Sequence, residues 1–108
     1  MYEELAKIIA ENNEKYVKLN EHVYLIKSHE TEEGLAALEE AKFDRWQFTH
    51  DYAKLLSDFL WSKKQELTPK DLSALDMVPY DVWRRMSEKS NIVVQVIMDI
   101  YKEGKEND

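Results

Sequence analysis

Glycine occurs at only two positions, 34 and 104, and proline at only two, 69 and 79, in a chain of 108 residues. These are the residues that most often end or bend a helix, by backbone entropy in one case and by a missing N–H in the other. Residues 1–33 and 35–68 contain neither. A chain so poor in breakers is expected to be all-α. The expected architecture is a long antiparallel helical hairpin with two or three shorter C-terminal helices packed against it. One domain over 1–104 accounts for this, with the hairpin in 1–64, short helices in 68–103 and a frayed tail at 105–108.

The first segment carries a heptad seam. Leu5, Ile9, Asn12, Tyr16, Leu19, Val23 and Ile26 recur at alternating intervals of four and three, which places them on one stripe of a helix. Lys7 with Glu11, Glu11 with Lys15 and Glu14 with Lys18 set opposite charges one turn apart outside the seam, each a small support to the helix. A helix over 2–28 would be about 40 Å long at roughly 1.5 Å per residue, so it needs a long partner, in the same chain or in a second copy. Asn12 is the polar member of the seam. In a coiled-coil dimer a buried asparagine pair would fix register; in a hairpin it would sit at the rim. Tyr16 is large for a tight two-stranded seam and favours the intramolecular or multi-helix arrangement.

Ser28-His29-Glu30-Thr31 interrupts that seam, and Thr31 followed by Glu32 and Glu33 suits a helix start,. The second helix is expected over 32–64. Leu35, Leu38, Trp46, Leu56 and Leu60 share one arc of it, Phe48, Tyr52, Leu55 and Phe59 widen that arc, and Phe43 and Trp61 lie at its opposite margin. An apolar arc about two-thirds of the circle wide is broader than the stripe of a one-sided surface helix. The helix is therefore expected to be central, touching the first helix and the C-terminal segments, or else covered in part by a dimer. The narrow remaining arc holds Glu40, Asp44, Gln47, Asp51, Lys54 and Asp58.

Thr68-Pro69-Lys70-Asp71 is a helix start: threonine at the cap, proline at the first position, an acid at the third,. Leu72 and Leu75 face inward, and Val78-Pro79 ends this short helix, because a residue before proline avoids the α region. A further helix is expected over 80–89, with Val82, Trp83 and Met86 as its apolar side. Ser90 can cap a last helix over 91–103, stopped by Gly104, with Ile92, Val93, Val96, Ile97 and Ile100 on one face. Its β-branched content also suits a strand, but no partner strand is expected elsewhere.

Residues 68–90 resemble a helix-turn-helix. Leu72, Ser73, Leu75, Val78 and Trp83 stand at intervals suited to that motif's packing positions, with Met86 closing the second helix. The resemblance implies that Lys70, Tyr80, Arg84, Arg85 and Lys89 would be the DNA-binding residues, Lys70 on phosphate and the arginines on guanine edges. Met77 stands where the motif usually has glycine, and Asp76 and Asp81 flank the turn and would repel phosphate. Two helices packing within a bundle is the favoured reading of this stretch.

Charge narrows the function classes. The net charge is −7, a sign that opposes general binding to nucleic acid or anionic membrane. It is uneven: residues 1–62 carry seven bases and thirteen acids, 63–89 six and five, and 90–108 two and four. There is no cysteine, which excludes disulfides, cysteine-held zinc and thiol catalysis. The acidic opening Met1-Tyr2-Glu3-Glu4 has no basic and apolar leader, and no apolar run is long enough to span a bilayer,. A soluble, cytoplasmic protein is expected, with no membrane partner.

No catalytic constellation stands out. His22 and His29 are seven residues apart, about 10 Å along a helix axis, too far to share a metal from one helix, and His50 is isolated. None of the three follows a glutamate by three positions, so the di-metal carboxylate motif of helical bundles is missing,. Glu30 and Glu33 give the E-x-x-E of all-α nucleotide pyrophosphohydrolases, but the E-x-x-D of their second helix occurs nowhere in the chain. There is no glycine-rich phosphate loop and no serine elbow. The expectation is a protein that is not an enzyme, with no metal and no cofactor.

The leading expectation is a small acidic interaction protein, an inhibitor or adaptor, that binds a macromolecular partner with a basic surface. Its partner-binding residues would be Glu40, Asp44, Asp51 and Asp58, spaced about 6 to 10 Å apart along the axis, with Phe43, Trp46 and Trp61 as the aromatic margin. Runner-up expectations are a dimeric helix-turn-helix DNA-binding regulator and a structural assembly subunit. A homodimer is expected, because the apolar surface of helix two and the last helix exceeds what a short C-terminal cap can cover.

Overall fold

The structure, a computed structural model, describes residues 1–27, 32–89 and 99, the side chains of 27, 32, 33 and 87–89 excepted. The Ser28–Thr31 interruption with its cap and His29, the helix expected over 91–103 with its Ser90 cap, and the tail 105–108 lie outside the described residues. The fold is all-α. Helix α1 spans Tyr2–Lys27, α2 Glu32–Ser62, α3 Pro69–Leu72 and α4 Tyr80–Lys89, with a 3-10 helix, Ser73–Met77, between α3 and α4.

Helices α1 and α2 form the antiparallel hairpin, and hydrogen bonds across it fix the direction. Arg45 Nη1 donates to Asn20 Oδ1 at 3.2 Å near one end, while Tyr52 OH donates to Asn13 Oδ1 at 2.8 Å and approaches the Ile9 carbonyl at 3.2 Å near the other. Every described member of the heptad seam is at least partly covered: Leu5, Ile9 and Val23 are buried, and Asn12, Tyr16, Leu19 and Ile26 half-buried. Asn12 sits at the rim. Its Nδ2 donates to the Ile8 carbonyl at 2.8 Å, one turn back in its own helix, so its amide is satisfied without a second strand.

The core lies at the open end of the hairpin. Leu5 and Ile9 of α1 meet Tyr52, Ala53, Leu56 and Leu60 of α2, and Leu67, Leu72, Ala74, Leu75, Val82 and Met86 fold over them. Burying each leucine or isoleucine removes enough apolar surface from water to be worth about 1.5–3 kcal/mol. α2 is central, as expected, packing on α1 along one side and on α4 along another, while α3 and the 3-10 helix pack on α1.

The apolar arc of α2 is not covered along its whole length. Leu35, Phe43, Trp46, Leu55 and Trp61 are all between 46 % and 60 % exposed. Leu35 lies toward the loop end, away from the core cluster. Trp46 borders α4 at Arg85 without being enclosed. Leu55 and Trp61 stand beside the buried Leu56 and Leu60 but outside the buried sector of the helix,.

The short helix after Thr68 begins as expected and ends differently. Thr68, extended at φ −105° and ψ 162°, accepts at Oγ1 from the Asp71 N–H at 3.2 Å, and Asp71 Oδ2 accepts from the Thr68 N–H at 3.0 Å. This reciprocal capping box satisfies two donors that a helix start leaves open. After one α turn the chain tightens into the 3-10 helix, with Val78 N–H donating to the Leu75 carbonyl at 3.1 Å. Val78 is then extended at φ −73° and ψ 130°, the conformation that Pro79 imposes on its predecessor. The tighter winding keeps Leu72, Ala74 and Leu75 all buried within four residues.

Candidate interaction faces of the second helix

α2 presents two polar faces of opposite sign. At about 100° per residue, Glu40, Asp44, Gln47, Asp51, Lys54 and Asp58 fall within one narrow sector, and all six are exposed. Gln47 Nε2 donates to Asp51 Oδ1 at 3.1 Å, one turn away. Phe43 and Trp61 stand eighteen residues apart, five full turns, so both project on the same edge of this sector. They are 60 % and 46 % exposed. Lys64 Nζ sits 3.7 Å from the centroid of the Trp61 ring. Two aromatic side chains thus flank the acidic stripe near its ends.

Trp46, the third member of the aromatic margin, belongs mainly to the opposite face. It stacks with Phe43 at 6.0 Å and with His50 at 5.7 Å between ring centroids. The Arg85 guanidinium of α4 lies 5.2 Å from the Trp46 ring. Beside it opens a groove of about 270 Å³ between α2 and α4, lined by Lys42, Arg45 and Trp46 from one helix and by Asp81, Arg84 and Arg85 from the other. Under it Thr49, buried, donates Oγ1 to the Arg45 carbonyl at 2.7 Å.

The residues that a helix-turn-helix would use are divided by this arrangement. Arg84 and Arg85 share the α2–α4 groove. Tyr80 is 74 % exposed at the start of α4, and Lys70 is exposed on α3; neither lines the groove. The Lys89 side chain is outside the described residues. The turn itself is tied to α1: Asn13 Nδ2 donates to the Met77 carbonyl at 2.9 Å, and Tyr16 OH donates to Asp81 Oδ2 at 2.9 Å. Partial burial raises the Tyr16 hydroxyl above its ordinary pKa, and the bond to Asp81 adds to that,.

Lys42 and Arg45 are functional candidates that sequence reasoning passed over, because they were counted within an acidic stretch. Their signal was positional. One turn apart, they lie on the side of α2 opposite the acidic stripe, where α4 brings its adjacent arginines. Asn13 was missed as well, since a lone asparagine beside the seam carries no mark of its two long-range bonds.

Among the described residues, no three histidine or acidic side chains gather closely enough to hold a metal ion, and no helix is long and apolar enough to cross a membrane. No protein-family model matches the chain, and no curated protein or solved structure matches it either.

Proposed function

We propose that this protein acts by stoichiometric binding and has no chemistry of its own. The acidic face of α2, with Glu40, Asp44, Asp51 and Asp58, docks on a macromolecule with a basic surface, and the protein serves as an inhibitor or adaptor. The observation that supports this reading is a single face: all four carboxylates and the flanking rings of Phe43 and Trp61 are exposed together. A rigid helix displays the charges at fixed spacing, which is what complementarity and steering toward a cationic partner require. Exposed aromatics beside the charges supply the desolvating anchors that charge alone lacks.

The test is charge reversal. Asp44→Lys with Asp51→Lys should abolish capture of the partner, while circular dichroism and thermal midpoint stay as in the parent. Capture unchanged by the reversal would end this reading. A homodimer belongs to the same proposal, with Tyr24, Leu25 and Leu35, exposed at the loop end of the hairpin, as the surface a second copy would cover. Light scattering at several concentrations tests it, and a monomer throughout would count against it.

A further inference from the structure

We propose that the open flank of the helical hairpin docks an amphipathic α-helix of a partner protein, one with basic residues at heptad spacing, a reading that rests on the acidic face of α2 being the interaction surface. The described short helices meet the hairpin on one side. On α2 that side holds Trp46, over which Arg85 lies, and Ala53, which lines a cleft with Met86. Phe48 and Leu55 come two residues after these, about 200° around the helix. On α1 the 3-10 helix is tied to Asn13 and α4 to Tyr16, and Ile8 and Leu19 stand on the flank away from Asn13. Ile8, Leu19, Phe48 and Phe59 are half-buried, and Leu55 is 46 % exposed. The antiparallel pairing, with Asn20 at Arg45 and Asn13 at Tyr52, brings Ile8 near the level of Phe59 and Leu19 near that of Phe48. The five side chains therefore form one apolar strip, about 16 Å long at roughly 1.5 Å per residue. Among the described residues no third helix lies over it: α3 and the 3-10 helix pack on α1 and α4 packs on α2, all from the other side.

Charge selects the occupant. Asp44, Asp51 and Asp58 stand at intervals of seven, about 10 Å apart along the axis, and at about 100° per residue they border the strip beside Leu55. All three are exposed. The ion pairs among the described residues, Lys7 with Glu11 and Lys18 with Glu14, do not include them. Asp51 accepts from Gln47 of its own helix, which leaves its charge uncompensated. A helix laid along the strip returns to the same flank every seven positions, so lysines or arginines at that interval would face the three aspartates in turn. Its apolar stripe would pack over Leu55, the anchors supplying affinity and the flanking charges orientation and on-rate. The α1 edge of the strip carries both signs, with Glu11 and Lys15, so the preference for a cationic helix is set by α2. The chain itself does not offer such a helix. Residues 1–62 carry seven bases against thirteen acids and 90–108 two against four, and either segment would set like charges against the aspartates.

The experiment is fluorescence anisotropy of two labelled peptides, each of about eighteen residues or five helical turns, titrated with the intact protein at low salt. One has a leucine stripe flanked by lysines at heptad spacing; the other has the same composition in scrambled order. The heptad peptide is expected to bind at least about tenfold more tightly than its isomer. Asp44→Lys with Asp51→Lys should weaken its binding by about tenfold or more, and so should Leu55→Ser. Glu21→Gln, an acid removed from the far side of α1, should leave it within about twofold. Leu55 is partly exposed, so Leu55→Ser gives a folded variant if the double substitution does not fold. Equal binding of the two peptides, both weakened by the aspartate reversal, overturns the helical partner and leaves the acidic-face reading standing. Heptad-peptide binding unchanged by Leu55→Ser overturns the apolar strip as the seat. Binding of neither peptide at about 0.1 mM protein overturns the proposal, and the capture experiment then decides the acidic-face reading by itself. Self-association that is lost in Leu55→Ser overturns it in favour of a second copy on this flank.

Discussion

Tyr52 and Asn13 are joined by a hydrogen bond of 2.8 Å across the helical hairpin, from the buried phenol to the amide oxygen. The other end of the same amide donates to the Met77 carbonyl at 2.9 Å. One asparagine therefore links α1 to α2 and to the 3-10 helix that precedes α4. Its neighbour Asn12 bonds only within α1.

Two adjacent asparagines should for this reason behave differently. Asn13→Ala removes two tertiary bonds and leaves a buried phenol with only the longer bond to Ile9, so a loss of about 1–2 kcal/mol is expected. Asn12→Ala replaces a half-buried residue by the best helix former and should fall within about 0.5 kcal/mol of the parent, or above it. Urea denaturation of both variants measures the contrast, and equal losses would contradict it.

Alkaline stability should depend on the same phenol. Burial pushes the Tyr52 hydroxyl far above its ordinary pKa, so the fold favours the neutral form. A group whose folded pKa is raised contributes stability that is complete below its unfolded pKa, about 10 for tyrosine, and lost as pH rises through the folded value. Tyr16 is shifted in the same direction, by burial first and by Asp81 second. The protein is therefore expected to lose stability above about pH 10. Tyr52→Phe should soften that loss and remove the most alkaline step from an ultraviolet tyrosine titration.

At the acid end, the capping box is the corresponding element. The Thr68 N–H holds the Asp71 carboxyl below the usual carboxylate range. With a depressed folded pKa, the contribution is present above the unfolded pKa, about 3.9, and lost as pH falls through the folded value. Thr68→Ala should cost about 1 kcal/mol at neutral pH. Asp71→Asn should flatten the acid limb of a thermal-midpoint profile below about pH 4, and an unchanged limb would show that the box does not contribute there.

Much of the architecture was legible because helical periodicity is a local signal. The four-three spacing from Leu5 to Ile26 predicts the covered side of α1, and Thr68-Pro69 with Asp71 predicts the start of α3 nearly to the residue. What the sequence could not convey was where along α2 the C-terminal helices land. Periodicity puts Leu35 and Trp46 in the same arc as Leu56 and Leu60, but only the last two are buried in the core; coverage is a tertiary property. The exposed acidic sector was readable because it needs no partner to exist. The cationic groove was not, since Lys42 and Arg45 acquire meaning only when Arg84 and Arg85 are brought within reach from about forty positions away.

The cation–π contact between Arg85 and Trp46 should be worth little in stability and more in optics. The guanidinium lies 5.2 Å from a ring that is 46 % exposed, and an exposed contact of this kind contributes about 0.5–1 kcal/mol. Arg85→Ala should therefore lower stability by no more than about 1 kcal/mol, with part of that from lost packing of the arginine stem over α2. The same substitution uncovers one face of the Trp46 indole and should change its emission. Trp61, beneath Lys64, serves as the internal comparison, because Lys64→Ala should change Trp61 emission and leave Trp46 as it was. Measured in backgrounds with one indole each, Trp46→Phe with Trp83→Phe and Trp61→Phe with Trp83→Phe, the two responses should separate cleanly. If Arg85→Ala left the emission of the Trp61→Phe, Trp83→Phe protein unchanged, the guanidinium would not be held over the ring in solution.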